Sequence, residues 1–191
     1  MGKLKDIKSF RVVGCSGEPT STYISHIYHL RAKLYTRFRL EDIKLPPYDT
    51  FMRESLRKED MKVLESDWWI TFEYKKKVYR LTLKRGACWD GASVPTGLVH
   101  GNVAKHTQRA NIPSIVHDYL FCSRSLSFDD ANNIFSGLLR WQGMNRGALA
   151  QYMIGVRSRK GRRIFIDGNP EAHWLPPFCE LSIIQELKEE K

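Results

Sequence analysis

An α+β fold is predicted, with N-terminal antiparallel strands and a hairpin, then a three-helix half, then a short C-terminal helix. Three observations carry this. Up to about Leu83 the apolar residues fall in short runs rich in β-branched and aromatic side chains. From Ile112 onward their spacing becomes helical, with Ser127 opening a second helix and a third starting near Asn145. At 191 residues and 42% hydrophobic content the chain can bury one ordinary core without staples. The expected division is a strand-rich extension over 1–65, a motif-bearing α+β domain over 66–165 and a tail over 166–191 with its short helix.

In chain order, "FRVVG" and "YISHIYHL" read as strands. "LPPYDT", with Pro46 and Pro47, is a break, and "RKEDMKVLESD" reads as a short polar helix or a loop. In "DWWITFEYKKKVYRLTLKRG", Trp68 to Tyr74 and Val78 to Leu83 flank Lys75-Lys76-Lys77, which is a hairpin signal. Pro113 suits a first helical position, and Ile115, Val116, Tyr119 and Leu120 make one apolar stripe. A second helix opens at Ser127, with Asp130 three residues on as a weak relative of a capping box, and runs through "ANNIFSGLLRW". A third, "NRGALAQYMIGVRSRKGRR", starts near Asn145 and ends in a basic stretch; "ELSIIQELKEE" then reads as a short amphipathic helix.

Lys and Arg outnumber Asp and Glu by 31 to 21, a formal charge of +10 that favours an anionic neighbour: nucleic acid, a phospholipid surface or an acidic protein. Cys15, Cys88, Cys122 and Cys179 lie far apart with no Cys-x-x-Cys pair, so a zinc ribbon or thioredoxin-like site has no support and reduced thiols are expected. "MGKLKDIKSF" lacks an apolar signal region, Asp6 stands where myristoylation prefers Ser or Thr, and no run of about 18 apolar residues occurs, so the expectation is a soluble, unexported chain.

The helix pair has a geometry that can be pushed further. Adjacent helical residues point about 100° apart, so His117 and Asp118 face different neighbours and each needs a partner from elsewhere. With a short "CSRSL" connection the helices return antiparallel. His117 lies five residues before Cys122 and Asn132 five after Ser127, which puts both at one height, so Asn132, or Asp129 nearer the turn, is the natural partner of the imidazole. Asp118 then faces the preceding loop, which holds Asp90. Two carboxylates with the carbonyls of a Gly-containing loop form an oxygen donor set of the kind Ca2+ accepts. The plainer alternative is a tight turn at "DGAS" with Asp90 on its own backbone and Asp118 on a neighbouring arginine.

At these residues the chain resembles a known family. Asp90-Gly91-Ala92-Ser93-Val94-Pro95, His117-Asp118-Tyr119-Leu120-Phe121 and Ala131-Asn132-Asn133-Ile134-Phe135 resemble the ordered motifs of a family of phage-encoded proteins known as a domain of unknown function. The layout is also similar, more remotely, to that of secreted phospholipases A2. That resemblance implies His117 as general base, Asp90 and Asp118 as Ca2+ ligands, and a second-helix residue orienting the imidazole. Asn132 stands where the pattern has Asp, and it can orient an imidazole but cannot neutralise an imidazolium.

Two function classes follow. One is a structural component of the phage virion, in the tail or connector region, meeting other virion proteins or DNA through its basic surface. The other is a Ca2+-dependent hydrolase of esters, lipids or envelope components, for which membrane lipid is a partner. Arg157, Arg159, Lys160, Arg162 and Arg163 are the candidate partner-contacting cations. His26 and His29 are three apart on an expected strand and face opposite sides, which argues against a shared metal. Ser93 lacks a nucleophile elbow. Of Trp68 and Trp69, one belongs to the core and the other faces outward.

Overall fold

The computed structural model describes residues 10–23, 62–89, 108–167 and 179–187. In chain order its elements are β1 (Phe10–Cys15), β2 (Ser21–Tyr23), β3 (Lys62–Leu64), β4 (Trp68–Tyr74), β5 (Lys77–Leu83) and β6 (Cys88–Trp89). Helices α1 (Gln108–Ser123), α2 (Phe128–Trp141), α3 (Arg146–Val156) and α4 (Arg159–Asp167) follow, and then β7 (Cys179–Glu186). The main sheet is antiparallel in the order β1-β4-β5-β7, and β2-β3-β6 form a small second sheet.

The β4–β5 hairpin is the centre of the main sheet. Tyr74 pairs with Lys77, leaving Lys75 and Lys76 as a two-residue turn with φ of 48° and 61°. Positive φ at both central positions is the type I′ geometry, whose twist matches that of the strands it joins. Lysine pays a steric penalty there that glycine does not. Lys76→Gly is therefore expected to raise stability by about 0.5–1 kcal/mol, read as a higher urea midpoint at unchanged slope; a lower midpoint would show that the side chain outweighs the strain.

Alternation along the hairpin turns Ile70, Phe72, Tyr74, Leu81 and Leu83 inward, where they pack on Ile112, Ile115, Val116 and Leu120 of α1 and on Ala131, Ile134 and Leu138 of α2. Trp68 is a core residue whose Nε1 donates to the Gly17 carbonyl at 2.7 Å; Trp69, half-buried, lies under the Arg80 guanidinium at 4.4 Å. A second cluster joins Phe135 and Leu139 of α2 to Leu149, Tyr152, Met153 and Val156 of α3. Gly137 of α2 lies against the Phe10 ring of β1, so closely that a Cβ there would stand 2.4 Å from Phe10 Cδ1.

Four expectations are corrected. The tail segment read as a helix is strand β7, hydrogen-bonded along β5 from Leu83↔Cys179 to Lys77↔Glu186; Ile183 and Ile184 are β-branched, and an open sheet edge supplies the ladder a lone amphipathic turn lacks. The third helix ends at Val156, and the basic stretch is a separate helix begun at Ser158, whose Oγ accepts from Gly161 N at 3.0 Å. The predicted three-helix half thus has four helices among the described residues. Pro113 lies inside α1, which starts at Gln108; a polar first turn hid the start from an apolar-periodicity argument. Lys62–Leu64, read as polar helix or loop, is strand β3 between β2 and β6. Of "YISHIYHL" only Tyr23 is described, as the end of β2, so His26 and His29 lie outside the described residues.

Cys15 is a half-buried free thiol. No helix among the described residues is long and apolar enough to cross a membrane.

Candidate functional site

Helices α1 and α2 are joined by the short segment 124–127. Ser127 caps α2 by accepting from Asp130 N at 3.1 Å, which sets the register between the two helices. In that register His117 meets Asn132. The imidazole Nε2 and Asn132 Oδ1 are 3.1 Å apart, both residues are buried, and Asn132 Nδ2 donates to the Phe128 carbonyl at 2.9 Å. That second bond fixes the amide with its oxygen toward the ring, so Nε2 carries the proton and donates. Asp129, the other candidate partner, is exposed and does not serve the imidazole.

The imidazole is also held by aromatic rings that sequence reasoning did not assign to it. Phe121, one turn on in α1, and Phe135 of α2 stand with ring centres 4.0 and 4.5 Å from it. Their i, i+4 and cross-helix positions were legible as apolar periodicity, but not as a sandwich around a histidine. Phe121 in turn meets Phe128 and, edge-on, Phe165 of α4 at 5.1 Å.

His117 Nδ1 and Asp118 Oδ1 are 3.9 Å apart. The gap is too long for a hydrogen bond, yet it places a carboxylate beside the imidazole edge that Asn132 does not use. Asp90, the expected companion of Asp118 in a Ca2+ site, and Ser93 lie outside the described residues. Among the described residues no group of three or more His, Cys, Asp and Glu side chains is placed to hold a metal ion; Asp118 is the one described member of the donor set.

A second polar cluster, unforeseen in the sequence, ties the hairpin to α2. Tyr74 Oη donates to Asp130 Oδ1 at 2.6 Å, and Lys75 Nζ reaches the same oxygen at 2.6 Å. Asn133 Nδ2 donates to Tyr74 Oη at 3.2 Å, and Arg157 Nη2 donates to Asn133 Oδ1 at 2.6 Å. Burial pushes the Asp130 carboxyl up, but the hydrogen bonds from Lys75, Tyr74 and the Ser127 hydroxyl outweigh it and hold the group below the ordinary carboxylate range. Burial, with Asp130 beside it, pushes the Tyr74 phenol up, and the hydrogen bond to Asp130 raises the Lys75 ammonium.

A depressed folded-state carboxyl contributes stability that is present above its unfolded value and is lost as pH falls through the folded one. Asp130→Asn is thus expected to cost about 1–2 kcal/mol at pH 7, discounted because Lys75 is largely exposed. The gap from wild type in urea midpoint should close toward pH 3. A gap that persists unchanged at pH 3 would assign the cost to packing.

Of the five candidate cations, Arg157 is the C-cap of α3, is exposed and donates from Nη2 to Asn133 Oδ1. Arg159, Arg162 and Arg163 are exposed along α4, and Lys160 shares that helix.

Comparison with curated proteins and with solved structures yields no match. Residues 66–154, which carry the hairpin, α1, α2 and the His117–Asn132 pair, match the model of a family described as Protein of unknown function (DUF1353).

Proposed function

We propose that this protein is a non-catalytic structural component of a bacteriophage particle, in which the His117–Asn132 pair is an internal pin between α1 and α2. One observation carries the structural part. The imidazole is 3% exposed, between Phe121 and Phe135, with Nε2 committed to an amide that is itself anchored on the Phe128 carbonyl. A general base must come within about 2.6–3.2 Å of the proton it takes, directly or through one water. The phage assignment and the place in the virion rest on the motif resemblance and on the +10 charge, which suits assembly against nucleic acid or acidic subunits.

The hydrolase reading has its own observation. With Nε2 as donor, Nδ1 is the basic nitrogen, and Asp118 is the counter-charge that Asn132 cannot be. In that reading His117 removes a proton from water at Nδ1, the Asp118 carboxylate stabilises the imidazolium, and Asn132 holds the ring. A hard cation, if bound by Asp118 with Asp90, supplies carbonyl polarisation.

His117→Gln separates the two, because its amide N–H can still donate toward Asn132 while it has no basic nitrogen. Particles carrying His117→Gln are expected to assemble and to infect at wild-type level. Particles that assemble with folded protein yet lose infectivity would overturn the structural reading in favour of catalysis.

A further inference from the structure

The four strands of the main sheet alternate in direction, so its outer strands, β1 and β7, run opposite ways, and neither has a second neighbour among the described residues. Each outer strand carries one bulge. In β1 the register passes from Val12↔Phe72 to Gly14↔Thr71 and extrudes Val13; in β7 it passes from Val78↔Gln185 to Tyr79↔Ile183 and extrudes Ile184. The two extruded residues are 54% and 53% exposed, and Ile183 is 51% exposed. Both bulges adjoin one rung of the sheet, Val12↔Phe72↔Tyr79↔Ile183. Exposed apolar side chains thus stand at the same height on opposite edges.

An outer strand that must stay single is protected by lysine, by proline or by a bulge that twists it away. Neither β1 nor β7 contains lysine or proline, although the chain holds 31 lysines and arginines, and what each bulge extrudes is β-branched and apolar. Such residues pair well across strands, and the unpaired N–H and C=O groups beside them are a template for one more strand. A second copy can supply that strand in three ways. Joining β7 to β7 sets the exposed Glu180 and Glu186 of one copy against those of the other, and joining β1 to β1 sets Arg11 against Arg11. Joining β7 to β1 brings opposite signs together and continues the antiparallel ladder with every copy in the same orientation. The ion pairs of Arg11 with Glu73 and of Lys77 with Glu186 soften this preference without reversing it, since the Arg11 and Glu186 side chains stay 74% and 70% exposed.

We propose that the protein assembles head to tail through its main sheet, the β7 edge of one copy taking the β1 edge of the next, with Val13 of one copy against Ile183 and Ile184 of the other. The contact is heterologous, so a pair of copies still has one edge of each kind unused. Assembly therefore closes as a ring where the copies curve and runs on as a filament where they do not. The inference concerns contact between copies and depends neither on His117 nor on the particle assignment.

Sedimentation velocity of the full chain, at about 0.15 M salt to screen the +10 self-repulsion, reads the mass as concentration rises. Wild type is expected to pass from 22.2 kDa through a dimer to larger species. Val13→Lys and Ile184→Lys should each weaken association at least about tenfold, with an unchanged Tm because both sites are exposed. Mixed together, the two blocked variants should form a one-to-one dimer and nothing larger, because one retains a working β7 edge and the other a working β1 edge. Where lysine lowers the Tm, Val13→Thr and Ile184→Thr keep the β-branched shape and should weaken association less, in the same pattern. A wild-type chain that stays at 22.2 kDa up to about 1 mM would overturn the proposal, whether the edges are unused or covered by another segment of the same chain. Assembly that stops at a dimer and is blocked by Ile184→Lys alone would replace it with β7 on β7, and the same result with Val13→Lys alone would replace it with β1 on β1. Assembly that neither variant weakens would overturn the assignment to the sheet edges.

Discussion

Asn132→Asp is expected to destabilise the protein by about 2–4 kcal/mol at pH 7, a fall in Tm of roughly 5–15 °C for a chain of this size. The motif pattern that the chain resembles has Asp at this position, so the exchange looks conservative in the sequence. The structure shows why it is not a like-for-like exchange. Asn132 is fully buried and works in both directions: its oxygen accepts from His117, and its Nδ2 donates to the Phe128 carbonyl. An aspartate keeps the first bond and sets an oxygen against the Phe128 oxygen in place of the second, within a helix turn that cannot open without losing the Ser127 cap. A protonated carboxyl can donate to Phe128, so the deficit should narrow as pH falls. A wild-type melting temperature for Asn132→Asp at pH 7 would show that the Phe128 bond contributes nothing and that the pin is the imidazole contact alone.

Gly137→Ala should cost about 1–3 kcal/mol, although alanine is the better helix former by about 1 kcal/mol and the site is mid-helix in α2. The reason lies in a neighbour far off in sequence. A methyl group there meets Phe10 Cδ1 and Cγ at 2.4 and 2.5 Å, atoms near the root of the side chain, so β1 must shift with the ring. Phe10 also touches Phe72 on the sheet's inner face, with ring centres 5.9 Å apart. In a double-mutant cycle with Phe10→Ala the alanine at 137 should change from harmful to neutral or favourable, giving a coupling of about 1–3 kcal/mol. Additive effects would place the cost in α2 itself.

The two mutations mark where sequence reasoning succeeded and where it stopped. The hairpin was legible because strand alternation and a lysine run are local signals, and so was the height of His117 against Asn132, since a short connection and a fixed rise per residue leave one register. The direction of the Asn132 amide was not legible, because it depends on a carbonyl four residues back that a helix normally satisfies. The Phe10–Gly137 contact, the Tyr74–Asp130 bond and β7 all require partners more than fifty residues away. In "ELSIIQE" the apolar residues satisfy either period, and the decision came from the vacant edge of β5, which no local pattern records. The break of the basic stretch into its own helix had a signal, Ser158 as a cap, that was overrun by the longer periodic reading.

The main sheet takes its two outer strands from opposite ends of the chain, β1 from Phe10–Cys15 and β7 from Cys179–Glu186, around a hairpin that forms from neighbours. A ribosome therefore releases the hairpin long before it releases the strand that covers one side of it. Until residue 186 is clear of the exit tunnel, β5 offers seven residues of open backbone to any extended segment nearby. Folding should accordingly show a fast hairpin-and-helix phase and a slower one set by closing the long loop from Leu83 to Cys179. During synthesis, this places a risk of aggregation at the uncovered edge of β5 in the interval before β7 emerges.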